Sequence, residues 1–190
     1  MRIYFRKTLE YNPQRVGLSK YESYEAITRQ KRSPDIVVSE SSEYFNLRTY
    51  CSSLKRCRHT AELMSFGKIT ALNELREIKF SLHSLVSSQE FEKYGPSLIR
   101  EKFIKGFIDD SLLETRKQIQ KRICKALEII TQGTDDKLVV SHSFTMKMFE
   151  AYLKNDLDIF KHPFLISRII HIQNETYAFG KGFEVEINKL

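Results

Sequence analysis

Short apolar runs alternate along this chain with longer segments in which apolar residues recur at helical spacing. Each compact run favours a strand, and each segment that follows favours a helix. The predicted strands are residues 2–6, 47–51 and 138–140, and the helices that follow them are 19–32, 54–66 and 143–154. This order predicts an α/β protein, a three-layer α/β/α sandwich with a mostly parallel central sheet.

Other segments give less regular patterns. The longest helix is predicted over 111–131, because its apolar residues fall on one stripe. Residues 69–87 are predicted to be irregular, and 88–106 to hold short helices broken at Gly95-Pro96. The remaining predictions are an N-cap at Ser19, a helix end at Gly67, a strand fragment at 36–38, a polar loop at 39–46, late strands at 168–173 and 183–187, and a turn at 178–182.

Length and composition bound the class of protein. The 190 residues contain no linker-like stretch, which predicts one domain over 1–190. No run approaches the ~20 apolar residues that cross a membrane, and the apolar run at the N-terminus is too short for a secretory signal. The cysteines, Cys51, Cys57 and Cys124, lack C-x-x-C spacing, which predicts a reduced, cytoplasmic protein. The sequence has neither a P-loop nor a metal-ligand spacing, so no cofactor and no metal is expected.

The net charge of +7 favours an anionic partner. The cations are spread out, and the densest group, within 116–125, lies on the predicted long helix, where it is typical of a solvated face. This distribution argues against nucleic acid as the partner. In a mostly parallel sheet, ligands bind beyond the carboxyl ends of the strands, which here are followed by Arg6–Thr8, Ser52–Arg56 and Ser141–Ser143.

Four motifs in this order carry a resemblance. Residues 51–62, CSSLKRCRHTAE, are similar to the signature S-S-P-L-x-R-A-x-x-T-A-E, and residues 75–78, LREI, resemble L-x-E-I. Glu114-Thr115 resembles a G-E-S/T element, and residues 139–143, VVSHS, resemble the strand end V-V-S-H-G. By these motifs the chain resembles the histidine phosphatase superfamily, whose fold is phosphoglycerate-mutase-like.

The resemblance implies a pocket in which fixed donors surround the charged oxygens of a phosphoryl group. Arg56 matches the family's second phosphate-binding arginine, His142 its second histidine, and Glu77 its usual acid. The implied partner is a phosphorylated small molecule or a phosphoprotein. The predicted phosphate contacts are Arg6, Lys7, Thr8, Arg56, His142 and Ser143, and the predicted catalytic residues are His142 and Glu77.

The chain departs from the family at its R-H-G motif, whose histidine is the nucleophile. Residues 5–10 read FRKTLE. Aligned without a gap, Lys7 replaces the arginine and Thr8 the histidine. Shortening the strand by one residue instead puts Arg6 on the arginine and Lys7 on the histidine, which avoids an arginine at the buried end of the strand. Neither register supplies an imidazole.

Three hypotheses for the function follow. The first is a degenerate phosphatase-like protein that binds a phosphorylated or anionic ligand without turnover, because a lysine is protonated near neutral pH and a threonine needs an adjacent base. The second is an active phosphomonoester hydrolase with His142 or Thr8 as nucleophile. The third is a nucleic-acid or protein-interaction module. Ser143-Phe144 replaces the family's glycine pair, and this second change beside the pocket favours the first hypothesis.

Overall fold

A five-stranded sheet lies at the centre of the computed structural model, which describes residues 1–37, 44, 46–154, 158–172 and 177–187. Its strands are β1 (Arg2–Lys7), β2 (Arg48–Ser52), β3 (Ile69–Leu72), β4 (Lys137–Ser141) and β5 (Gly182–Glu186). Their order is β3-β2-β4-β1-β5, and only the pairing of β5 with β1 is antiparallel within this described sheet. The prediction of a mostly parallel sheet is confirmed.

Helices flank the sheet and begin at well-defined caps. They are α1 (Lys20–Thr28), α2 (Lys55–Met64), α3 (Leu82–Leu85), α4 (Ser88–Tyr94), α5 (Ser97–Ile108), α6 (Arg116–Ile130), α7 (Ser143–Lys154) and α8 (Ile166–Ile172). Ser19 begins α1 and Thr115 begins α6, each in a capping box with the residue three positions on. The predicted N-cap at Ser19 is therefore confirmed. Within the described parts of the chain, none of these helices is long and apolar enough to cross a membrane.

Alternation along the strands separates two apolar clusters on opposite faces of the sheet. On β4, Leu138 and Val140 pack in the cluster beside α2, whereas Val139 packs in the larger cluster that includes α6 and α7. Phe5 of β1 belongs to the larger cluster, and Cys51 of β2 to the smaller one. Helices therefore cover both faces, which confirms the three-layer α/β/α prediction.

Two predictions of element type are wrong. Residues 168–173 were expected to form a strand, but the structure has α8 there, and Gln173 lies outside the described residues. Ile166, Ile169 and Ile170 are buried at positions i, i+3 and i+4, which is the spacing of a helical face. The segment 69–87 is not irregular throughout, because it contains β3 and α3.

Two helix boundaries also differ from the prediction. The long helix begins at Arg116 instead of Ser111, because the Thr115 hydroxyl accepts the Gln118 N–H and fixes the first turn there. Gly67 does not end α2, which ends at Met64. A Cβ at Gly67 would lie 2.1 Å from the Leu47 carbonyl oxygen, so glycine is needed there for the close approach to the start of β2.

The segment before β2 is described only in part. The strand fragment predicted at 36–38 reduces to an isolated antiparallel bridge between Tyr11 and Ile36, and Val38 lies outside the described residues. The polar loop predicted at 39–46 lies outside them too, apart from Tyr44 and Asn46.

The strand β5 returns antiparallel beside β1 and holds the end of that strand. A Cβ at Gly182 would lie 1.9 Å from the Phe5 carbonyl oxygen, so this approach requires glycine. The Lys7 N–H donates to the Lys181 carbonyl at 2.9 Å, and the Lys181 N–H donates to the Ala178 carbonyl at 3.0 Å. The predicted turn at 178–182 is confirmed, and the end of β1 is fixed by β4 on one side and by this turn on the other.

Candidate phosphate-binding site

A buried arginine and a buried histidine meet at the carboxyl ends of two neighbouring strands. Arg56 lies in the first turn of α2, just beyond β2, and His142 directly follows β4. Since β2 and β4 are adjacent and parallel, their ends bring the two side chains together. Arg56 Nη2 donates to His142 Nδ1 at 3.0 Å, and each residue is only 3% exposed.

The Arg56 contact fixes the protonation of the His142 ring. A guanidinium only donates, so Nδ1 must accept, and the ring proton is assigned to Nε2, which faces Ser52 Oγ at 2.9 Å. Burial, followed by the positive charge of Arg56, lowers the pKa of His142 well below its ordinary value. The ring is therefore neutral, and its one lone pair is directed at Arg56.

Cys57 completes the buried surroundings of the histidine. Its Sγ lies 3.2 Å from His142 Nε2, and the residue is fully buried. Burial raises the pKa of the Cys57 thiol, and this effect exceeds the opposing influence of the Arg56 charge. Cys57 is consequently a neutral thiol, which excludes a thiolate nucleophile at this position in the structure as it stands.

The Arg56 side chain also contacts the segment after α1. Ser33 Oγ accepts from the Arg56 backbone N–H at 3.1 Å and from Nη1 at 3.3 Å. The guanidinium carbon lies 5.5 Å from the centre of the Tyr11 ring. Arg56 Nε is buried and has no hydrogen-bond partner among the described residues. The cation is thus held in place by Ser33, His142 and Tyr11, and no carboxylate is among these partners.

The carboxylate of Glu77 lies next to the first turn of α7 and caps that helix. Oε1 accepts the Thr145 N–H at 2.9 Å, and Oε2 accepts the Phe144 N–H at 3.3 Å. Burial nonetheless raises the pKa of Glu77, because it outweighs these hydrogen bonds and the attraction of Arg56. Glu77 is therefore a carboxyl group that takes up a proton more readily than a solvent-exposed glutamate.

Arg56, Glu77 and Ser143 line one cavity of about 200 Å³. The other lining residues are Tyr11, Tyr24, Ile27, Thr28, Phe80, Pro96, Ile99, Arg100 and Phe144. Phe144, at the position of a family glycine, stacks on Phe103 with ring centres 3.8 Å apart. Phe144 therefore gives this cavity an aromatic wall where the family has glycine.

The three residues at the end of β1 diverge in direction. The Arg6 guanidinium donates to Glu184 and to the Tyr44 hydroxyl, on the α2 face of the sheet. Lys7 lies on the other face, where its Nζ donates to the Tyr177 carbonyl at 2.9 Å. Thr8 is 1% exposed, and its backbone N–H donates to the Ser141 carbonyl at 3.2 Å.

Lys7 is electrostatically coupled to the cavity. Burial lowers the pKa of Lys7, the Glu77 charge raises it, and the Arg100 charge lowers it further. Lys7 in turn contributes to the lowered pKa of His142. The structure thus brings Arg56, His142, Glu77 and Ser143 together with Lys7 nearby, whereas the Arg6 guanidinium binds partners on the opposite face.

Several residues of this site were missed in the sequence analysis. Cys57 occupies the position after Arg56, where the family signature has alanine, and this mismatch is the signal that points to it. Ser33, Tyr11 and Arg100 lie outside the matched motifs. Among the described residues, no group of three histidine, cysteine, aspartate or glutamate side chains could hold a metal ion.

Comparison with known proteins identifies the family of the chain. The profile of the histidine phosphatase superfamily (branch 1) matches residues 40–167. The chain belongs to the histidine phosphatase superfamily. The matched range begins after β1, so it does not include the segment aligned with the R-H-G motif. No curated protein matches the chain.

Solved structures share the fold at low sequence identity. The α-ribazole phosphatase of Shigella flexneri is 17% identical, with 100% of this chain and 92% of that chain covered and a TM-score of 0.55. The product of an open reading frame of Mycobacterium tuberculosis is 14% identical, with 96% and 88% covered and a TM-score of 0.52. A phosphoglycerate mutase of Bacillus anthracis is 15% identical, with 82% and 80% covered and a TM-score of 0.47. For the first two structures, whose TM-scores exceed 0.5, the likeness at these identities concerns the fold.

Proposed function

We propose that this chain binds a phosphate monoester or a similar small anion in the cavity beside Arg56 and does not turn it over. The observation that carries the proposal is the buried pair of Arg56 and His142, in which a fixed guanidinium lies at the base of a cavity. A guanidinium matches the oxygens of a phosphoryl group in a bidentate way, and it is most effective where water is excluded. Lys7 adds a second positive charge near this cavity.

The absence of turnover rests on the lack of a free nucleophile. Transfer through a phosphoenzyme requires a lone pair aimed at phosphorus. The only lone pair of the neutral His142 ring accepts from Arg56. Thr8 is buried at the end of β1. The Lys7 ammonium donates a hydrogen bond to the Tyr177 carbonyl. The alternative of an active hydrolase would need one of these groups to rearrange.

Ion pairing of the long helix favours a small anion over nucleic acid. Arg122 of α6 pairs with Glu114 at 2.6 Å, and Lys125 pairs with Glu74 at 2.6 Å. Arg116 donates to the carbonyl of Phe107 at 3.0 Å. The paired cations Arg122 and Lys125 release little counterion from a polyanion, which weakens the case for nucleic acid at this helix.

Two measurements on the purified protein test the proposal. We expect isothermal titration with inorganic phosphate to show binding, and an assay with p-nitrophenyl phosphate to show no turnover above the uncatalysed rate. His142→Ala should leave that assay unchanged. Turnover that is lost in His142→Ala would establish the hydrolase alternative instead, and no detectable phosphate binding would disprove the proposal.

Replacing Glu77 with glutamine is expected to remove a pH dependence of anion binding. The pKa of Glu77 is raised above its ordinary value of 4.5, so the group loses its proton as pH rises through a more neutral range. The resulting negative charge repels a bound anion and partly neutralises Arg56 and Lys7, so affinity should fall with rising pH. Glutamine is neutral at every pH, and its profile should be flat.

Sulfate is the suitable probe for this measurement, because it stays divalent between about pH 5 and pH 8, where phosphate itself titrates. Glu101→Gln, an exposed position on α5, is the matched control and should keep the pH dependence of the parent protein. A parent profile that stays flat as pH rises above 4.5, the ordinary value for a glutamate, would contradict the role given to Glu77.

A further inference from the structure

The walls of the cavity beside Arg56 differ in character from its base. Above the polar base formed by Arg56, Glu77 and Ser143, aromatic rings and aliphatic side chains make up most of the lining. The rings are those of Tyr11, Tyr24, Phe80 and Phe144, and the aliphatic groups are Ile27, Ile99 and Pro96. A surface of this kind favours an apolar, planar group, because rings gain from edge and stacking contacts with one another.

The volume of the cavity limits the size of that group. The cavity measures about 200 Å³. A cavity of about 150 Å³ lined by leucine, isoleucine and phenylalanine accommodates benzene, whereas drug-sized ligands occupy about 300–1,000 Å³. The space therefore suits one ring and a phosphoryl group, and it is too small for a nucleotide.

A second arginine lines the same cavity on a different element. Arg100 lies on α5 and is partly buried, next to Ile99 and Pro96 of the apolar wall. Arg100 is one of the residues that line the cavity, and its positive charge lowers the pKa of Lys7 nearby. Arg56, which also lines the cavity, comes from the start of α2. A ligand that fills the cavity thus meets a cation at each of two places on its outline.

Building on the proposed function, we propose that the ligand is the phosphate monoester of a small aromatic alcohol that carries a second acidic group. The phosphoryl group binds beside Arg56, the ring lies among Tyr11, Tyr24 and Phe144, and the second acid pairs with Arg100. Arg100 is then the residue that determines specificity, and Arg56 the one that provides the shared phosphate contact.

Non-hydrolysable phosphonates test this inference whether or not the protein has turnover. The titration series is inorganic phosphate, methylphosphonate, benzylphosphonate, and benzylphosphonates with a carboxylate at the 3- or 4-position. We expect benzylphosphonate to bind at least about tenfold more tightly than methylphosphonate, because it buries a ring. The better carboxylated isomer should gain about threefold to tenfold more, as a charge-assisted contact allows.

Three variants assign these gains to residues. Arg100→Ala should abolish the gain in affinity from the carboxylate, measured within this variant as the ratio of the affinities for carboxylated and plain benzylphosphonate. Tyr24→Ala should reduce the gain in affinity that the ring of benzylphosphonate gives over methylphosphonate. Arg58→Ala, an exposed arginine on α2, should change neither gain. Thermal unfolding of each variant shows that it is folded.

The outcomes separate this inference from the proposed function. Equal affinities for methylphosphonate and benzylphosphonate would overturn the aromatic ligand while phosphate binding stands. A carboxylate gain that persists in Arg100→Ala would overturn the role of Arg100. Failure of every ligand to bind, inorganic phosphate included, would instead refute the proposed function itself.

Discussion

Replacing Arg56 with alanine is expected to weaken inorganic phosphate binding by about tenfold to a hundredfold. Hydrogen bonds to a charged group contribute roughly 1.5–3 kcal/mol, and each ~1.4 kcal/mol is a factor of ten in affinity. The Arg56 guanidinium is buried and its known partners, Ser33 and His142, are neutral. No carboxylate among the described residues is hydrogen-bonded to this guanidinium, so its positive charge is available to an anion in the cavity while Glu77 is protonated. Isothermal titration of parent and variant measures the difference.

Two further variants sharpen this test. Arg56→Lys keeps the positive charge and loses the planar fork, so its affinity should lie between those of the parent and Arg56→Ala. Arg58→Ala removes an exposed arginine from the same helix and should change the affinity by less than about twofold. Equal loss in Arg56→Ala and Arg58→Ala would show that only the net charge matters, which would contradict the site described above.

The same substitution has an independent readout at His142. The Arg56 charge contributes to the lowered pKa of this histidine, so its removal in Arg56→Ala should move the pKa of His142 upward, toward its ordinary value of 6.5. Titration of the imidazole C–H signals by NMR follows this shift. An unchanged pKa of His142 would contradict the direct contact between the two side chains.

Replacing Phe149 with alanine is expected to lower the free energy of unfolding by about 3–5 kcal/mol, the range for truncating a buried phenylalanine. Phe149 lies on α7, is completely buried, and packs on Phe5 of β1 with ring centres 5.2 Å apart. The substitution leaves a cavity between the helix and the sheet at the strand that leads to the site. Urea unfolding of parent and variant measures the change.

Tyr152 provides the matched control for Phe149. It lies on the same helix and is 48% exposed, so Tyr152→Ala should cost about 1 kcal/mol or less. Similar losses for the two variants would indicate that α7 does not pack as described. Together with the Arg56 series, this comparison separates changes in stability from changes in binding.

The sequence could predict the central strands and the helix α7, because their apolar runs are dense and their ends are sharply marked. β4 is fully buried along its length, and its apolar run makes it a strand that pattern alone identifies. β3 was missed because it is a four-residue edge strand whose side chains are partly exposed. α8 was misassigned because its isoleucines are β-branched and favour strands locally, whereas packing of Ile166, Ile169 and Ile170 on one face makes the segment helical.

The candidate site could be predicted as far as its residues lie in motifs at strand ends. Arg56 and His142 follow β2 and β4, and the family resemblance placed both residues in one pocket. The structure shows why they meet, because β2 and β4 are parallel neighbours. The direction of the Arg6 side chain could not be predicted in the same way. This direction depends on the face of β1 on which the Arg6 side chain lies and on its ion pair with Glu184 of β5, a residue far away in the sequence. Arg100 joins the cavity only through the packing of α5, which no local pattern encodes.

The antiparallel return of β5 has a consequence for the order in which the protein is made. During synthesis β1 emerges before the other strands of the described sheet, and β5, which pairs with its outer edge, emerges after all of them. Until then, β1 has an unpaired edge that invites association with other chains. The carbonyl that holds the Lys7 ammonium, that of Tyr177, also arrives only then. The charge arrangement beside the cavity is therefore completed late in synthesis, together with the protection of that edge.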